Sequence, residues 1–250
     1  MNCSTVFNAY SRYYDLLYLD KDYIGEVAYV QNLLVRYGIT KGSLLEFGSG
    51  TGKHGCLLAT NGYTVHGIEL NASMVSEAQI VHGFSCEQGD ITTVKMCRTY
   101  DAVLSIFHVI SYQTTNMQLH AMFSNAAEHL STNGLFIFDF WYSPAVYAQK
   151  PSVRVKRMAD HDVEITRIAE PKIYANKNCV DVTYTFFVHN ISSGSIQSFQ
   201  EIHPMRHFSL PEINLMANIH GFELLQAEQF LLGAQPSEDT WGVCVVLGKN

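Results

Sequence analysis

Leu44-Leu45-Glu46-Phe47-Gly48-Ser49-Gly50-Thr51-Gly52 decides the fold. A short, mostly apolar strand runs straight into a glycine at every second position. Residues 53–61 then read as a helix with Leu57 and Leu58 turned inward. Glycines in such a loop let the backbone turn sharply and bring a ligand against main-chain N–H groups at a helix start. Alone, the triplet fits an ordinary turn or a dinucleotide site. The spacing speaks against the dinucleotide, because Lys53 stands where GxGxxG needs its third glycine.

The pattern repeats on the C-terminal side. Residues 63–69 form a second strand, and Asn71 can cap a helix that carries Met74, Val75, Ala78 and Val81. Residues 84–87 make a weaker third strand and 101–106 a strong fourth. Leu119, Met122, Phe123, Ala126 and Leu130 share a helix face, and 134–140 is the fifth strand. This alternation predicts an α/β fold with a doubly wound, mostly parallel sheet. Between 151 and 208 the period becomes two, with turns at 176–178 and 192–195, which predicts an inserted antiparallel β meander. A helix after Pro211 carries Ile213, Leu215, Met216 and Ile219 and ends at Gly221. Strands near 222–230 and 241–247 bring the main sheet to seven. The predicted divisions are a helical cover (1–36), a ligand-binding core (37–148), the insertion (149–209), and a last helix with two strands (210–250).

Composition bounds the function. Of 250 residues, 47% are hydrophobic and 16% charged, enough to bury a large core. The formal net charge of -7 counts against nucleic acid as a partner. The longest apolar stretch, 102–110, is far below the ~20 residues of a membrane span. The first residues have neither a basic lead nor an apolar core, so a cytoplasmic location is expected. Six cysteines without a CxxC pair read as reduced thiols, and eleven histidines without HExxH give no expectation of a metal.

Two acids sharpen the reading of the glycine loop. Glu69 ends the second strand, where a carboxylate can accept both hydroxyls of a ribose. Asp90 ends the third, where an acid can accept from an adenine amino group. Successive strand ends at one rim are where open α/β sheets bind ligands.

These segments resemble the successive motifs of class I S-adenosylmethionine (SAM)-dependent methyltransferases: Glu46-x-Gly48-x-Gly50-x-Gly52, Glu69, Gly89-Asp90-Ile91 and the strand beginning Tyr100-Asp101. The likeness runs from about residue 10 to 142 and implies a Rossmann-like methyltransferase sheet. It implies that Glu46, Gly48, Gly50 and Gly52 form the cofactor loop, with the glycines against the methionine part. Glu69 with Leu70 would hold the ribose, Asp90 and Ile91 would frame the adenine over Met74, and Phe107 would stand beside the cofactor.

Other stretches are similar to the N-methyltransferases of nucleotide-linked deoxy amino sugars: Tyr14-Asp15-Leu16-Leu17-Tyr18 with Tyr23, the run 140–144, and Glu201-Ile202-His203 in the meander. That resemblance implies that Tyr14 and Tyr23 cover the cofactor. It also implies that the meander shapes the sugar site and a homodimer interface. One position departs: Tyr112 stands where the subgroup carries a histidine facing the amine, and His108 is an additional histidine nearer the strand. Residues 150–206 hold 8 of the 16 basic residues against six acids, suited to a substrate diphosphate. His108, Tyr112 and His203 are the candidates for taking a proton. An amine acceptor asks little of them and a hydroxyl asks for a firm base. A hydroxyl acceptor, or SAM binding without catalysis, are the competing functions.

Overall fold

The computed structural model describes residues 13–250. The cover expected over 1–36 is therefore described from Tyr13 onward; Cys3 and the first twelve residues lie outside the described residues. The chain runs α1 (Tyr14–Leu17), α2 (Tyr23–Arg36), β1 (Ser43–Phe47), α3 (Lys53–Thr60), β2 (Thr64–Glu69), α4 (Ala72–Glu77), β3 (Phe84–Gln88), β4 (Tyr100–Ser105), α5 (Asn116–His129) and β5 (Leu130–Trp141). It continues with α6 (Ser143–Gln149), β6 (Arg154–Ala159), β7 (Val163–Tyr174), β8 (Cys179–Asn190), β9 (Ile196–Arg206), α7 (Leu210–Ile219), β10 (Phe222–Gln229) and β11 (Gly242–Lys249).

The main sheet has seven strands in the order β10-β11-β5-β4-β1-β2-β3. β1 to β5 are parallel, whereas β11 runs antiparallel to both β5 and β10. From β1 the chain winds one way to β3, then returns to β4 and β5 on the other side. The order thus reverses between β1 and β4, and the crevice at their C-terminal ends is the expected ligand site. Helices cover both faces, so neighbouring residues of one strand enter opposite cores. Leu45, Phe47, Val103, Phe136 and Phe138 pack on one side, and Leu44, Leu104, Ile137 and Val246 on the other.

Several boundaries differ from the sequence reading. α4 stops at Glu77, which leaves Ala78 and Val81 outside the helix expected to carry them. β5 begins at Leu130 rather than at 134, so α5 feeds directly into it. Residues 131–134 have turn composition, but burial of Leu130 beside Tyr100 draws them into the strand, and the register shifts between Tyr100 and Ala102 to accommodate them. The run after β5 is a helix, α6, with Pro144 in its first turn.

The insertion forms its own antiparallel sheet, β6-β7-β8-β9. Its two ends are tied together: Phe208 N donates to Trp141 O (2.9 Å), Ser143 N donates to Phe208 O (2.8 Å), and Ser143 Oγ lies 2.8 Å from His207 Nδ1. β9 packs against the 3₁₀ turn Val109–Tyr112 that follows β4, which brings the second sheet over the crevice. Among the described residues no helix is long and apolar enough to cross a membrane.

Candidate active site

The glycine loop carries three left-handed residues, Gly48, Gly50 and Gly52, with φ of 73°, 55° and 78°. Their surroundings separate their roles. A Cβ on Gly48 would lie 2.6 Å from Val109, and one on Gly52 2.6 Å from the Phe84 ring. Both glycines permit close packing. A Cβ on Gly50 would meet nothing within 4 Å, so its backbone stands open to an adjoining cavity of about 710 Å³.

Glu69 reaches that loop from the end of β2. Its Oε2 accepts from Gly50 N and its Oε1 from Asn71 N, both at 2.9 Å. Burial pushes its pKa up, and these backbone donors oppose the shift. With backbone donors from Gly50, Leu70 and Asn71 on about four acceptor sites, the carboxylate keeps room for a ligand hydroxyl. Asn71 Oδ1 caps α4 by accepting from Ser73 N and Met74 N, which fixes Met74 in the cavity wall. Asp90 spends one oxygen locally: Oδ1 accepts from Thr92 N (2.8 Å) and Thr92 Oγ1 (2.7 Å). Ile91 beside it is buried.

The residues that follow β4 are strained. Phe107 and His108 both have positive φ, 70° and 61°, which bulky residues rarely adopt. Asp139 of β5 holds them there, accepting from His108 N at 3.1 Å, while His108 Nδ1 lies 2.7 Å from Asp139 Oδ2. Asp139 is fully buried. Burial alone would raise its pKa, yet His108 and the backbone N–H groups of residues 107 and 108 hold it below the ordinary carboxylate value. Across the cavity, Tyr112 Oη is 2.9 Å from His203 Nδ1, and Glu201 Oε2 is 3.5 Å from His203 Nε2. Burial lowers the His203 pKa against the pull of Glu201. Through the Tyr112 contact, His203 acts as a buried brace between the second sheet and the 3₁₀ turn.

Most sequence-named residues meet in one cavity. Tyr14, Tyr23, Gly48, Gly50, Glu69, Leu70, Met74, Asp90, Ile91 and Phe107 line it, as do His108, Tyr112 and His203. Glu46 and Gly52 do not. Gly52 caps α3 behind the loop. Glu46 is buried deeper, 3.8 Å from His54 Nδ1, and burial pushes its pKa up to about 8 against the pull of Lys21. Sequence reasoning missed Asp139, and also Tyr18, Tyr184 and Met205, which complete the far wall. It missed Lys21 as well, whose ammonium sits 2.9 Å from Glu26 and 3.4 Å over the Phe107 ring.

The cavity fits SAM: an open backbone at Gly50, a carboxylate with room for a ligand hydroxyl at Glu69, and an apolar wall of Met74 and Ile91. Comparison with known proteins agrees. Residues 44–134 match the methyltransferase-domain family. A Streptomyces venezuelae protein, dTDP-3-amino-3,4,6-trideoxy-alpha-D-glucopyranose N,N-dimethyltransferase, is 30% identical over 138 residues, covering 54% of this chain and 58% of its own length. The chain therefore spans just over half of that relative. A SAM-dependent methyltransferase from Clostridium acetobutylicum superposes with TM-score 0.79 at 19% identity, covering 97% of this chain and 100% of its own. SAM-bound CalS10, an amino pentose methyltransferase from Micromonospora echinaspora, gives 0.76 at 20%, covering 98% of each. At these identities the structural likeness is one of fold. Residues 44–134 thus carry a methyltransferase domain on a Rossmann-like sheet, and its cofactor is SAM.

Proposed function

We propose that the protein methylates the amine of a nucleotide-linked amino sugar. One observation carries the reading: the rings of Tyr14, Tyr18, Tyr112 and Tyr184 wall the cavity where the cover and the second sheet meet it. Electron-rich ring faces attract ammonium groups, and methylated ones in particular. Arg167, 4.9 Å from the Tyr184 ring centroid, adds positive charge suited to a diphosphate, and Lys156, 5.7 Å from that of Tyr18, could join it by exchanging its partner Asp20. The name of the Streptomyces venezuelae relative supports the same acceptor class.

Bound SAM supplies a strongly electrophilic methyl group. The chain's own residues then have two tasks, to hold the nucleophile in line and to exclude water. Gly50 and Glu69 fix the cofactor end, while the tyrosines and the second sheet close the acceptor end. A homodimer and a cytoplasmic location belong to the same reading, checked by sedimentation and by cell fractionation. A hydroxyl acceptor is the second reading, since His108 beside the buried Asp139 could serve as base to an alcohol as well as to an ammonium.

Mass spectrometry of products formed with isotope-labelled SAM decides between them. Amino-sugar nucleotides should gain labelled methyl groups on nitrogen. Label confined to their hydroxyl counterparts would overturn the amine reading in favour of the second.

A further inference from the structure

We propose that His108 takes the proton released by the acceptor nucleophile and that Asp139 positions it to do so. The proposal rests on methyl transfer at this cavity and on the amine acceptor, and four features of the site support it. Asp139 is the one fully buried aspartate among the described residues, and it faces His108 at 2.7 Å. With Nδ1 turned to the carboxylate, Nε2 is the nitrogen left for the cavity that His108 lines. The backbone of residues 107 and 108 is held in a costly conformation, fixed by the bond from His108 N to Asp139. Finally, the His203 ring is buried, with Nδ1 on Tyr112 and Nε2 3.5 Å from Glu201, and serving as the base would break its link to the 3₁₀ turn.

The Nδ1–Oδ2 contact lies off hydrogen-bond alignment, as such contacts often do before substrate tightens a site. A small ring rotation aligns it and fixes the tautomer with hydrogen on Nδ1 and a lone pair on Nε2. Trp141 lies edge-on to the ring at 6.1 Å and Phe107 is stacked at 5.8 Å, limiting other rotations. The charged or titratable groups around the pair are Lys21 before α2, His54 of α3 and Cys244 of β11, each coupled to Asp139 through space.

The step balances. As the methyl's bond to sulfur breaks and its bond to nitrogen forms, nitrogen takes up the positive charge that sulfur gives up. Before that attack an ammonium acceptor gives its proton to Nε2 of His108, which frees the nitrogen lone pair; the same transfer returns the methylated amine to its neutral form for a second round.

Asp139→Asn tests this, because the amide oxygen still accepts from the backbone while its NH₂ faces Nδ1 and forces the opposite tautomer. Nitrogen-15 histidine NMR, at a pH where the ring is neutral, should find the wild-type His108 proton on Nδ1 and the variant's on Nε2. Near neutral pH the variant should lose ~10²-fold in kcat, at the low end of general-base effects. With SAM affinity unchanged by calorimetry, that defect should shrink as pH rises and solution supplies neutral amine. A wild-type ring protonated on Nε2, or a variant within threefold of wild type at neutral pH, overturns the proposal. Failure of the wild type to bind SAM would instead overturn the methyltransferase reading, so the two failures are distinguishable.

Discussion

Glu46 and Glu69 stand on the neighbouring strands β1 and β2, yet burial treats them differently. Glu69 is compensated by backbone donors and faces the ligand. Glu46 Oε2 has no hydrogen-bond partner among the described residues, and its pKa of about 8 lies above the ordinary 4.5. Between those two values the folded chain holds a proton that the unfolded chain has released. Stability from this site is therefore full below about pH 4.5 and declines as pH rises toward 8. Glu46→Gln should remove the decline, giving a higher Tm than wild type at pH 8.5 and an equal one at pH 4. The gain is on the order of a few kcal/mol, at about 1.4 kcal/mol per pH unit. Thermal melts across pH check it; equal melting at both ends would place the carboxylate in a solvated site. Gly50 offers a different contrast. Gly50→Ala puts a methyl into the cavity rather than into protein, so SAM should bind about tenfold more weakly, equivalent to ~1.4 kcal/mol. Gly52→Ala, aimed at the Phe84 ring, should lower Tm instead.

Among the elements, α4 is the one whose stability bears most directly on the cofactor. It has six residues and owes its start to the Asn71 side chain. Asn71→Ala should cost about 1 kcal/mol of local stability and release Met74 from the cavity wall. Faster amide exchange at Ser73 and Met74, together with weaker SAM binding, is the expected result; unchanged exchange would mean that packing alone holds the helix. The cap was legible in the sequence because asparagine precedes an apolar helical pattern by local spacing. The first three strands of the main sheet were legible for the same kind of reason, since their runs end at a glycine or an acid. The start of β5 was not, because the 131–134 composition points to a turn and a distant partner, Tyr100, decides otherwise. Asp139 was invisible as a site residue, since its role depends on His108, 31 positions away in the turn after β4. Lys21 and His54 escaped similarly: their meeting at Glu26 is made by α2 lying across α3.

On the scale of the whole molecule, cofactor and acceptor are expected to occupy one continuous cavity without a metal between them. Among the described residues, the grouping with ligand spacing is Asp160-His161-Asp162, exposed on the turn between β6 and β7 and absent from the cavity lining. Treatment with EDTA should leave methyl transfer unchanged. Activity lost to the chelator and restored by magnesium would point to an acceptor bound through a cation.

The tie between Trp141, Ser143 and Phe208 has a consequence for how such a protein can change over generations. The excursion that packs over the crevice leaves and rejoins the main sheet at a single stitched seam. Its interior can lengthen, shorten or be exchanged with only a slowly growing entropic penalty, because the seam holds its ends at a fixed spacing. Recognition of the acceptor is thereby free to drift from one lineage to the next while the half of the molecule that grips the methyl donor inherits its geometry unaltered.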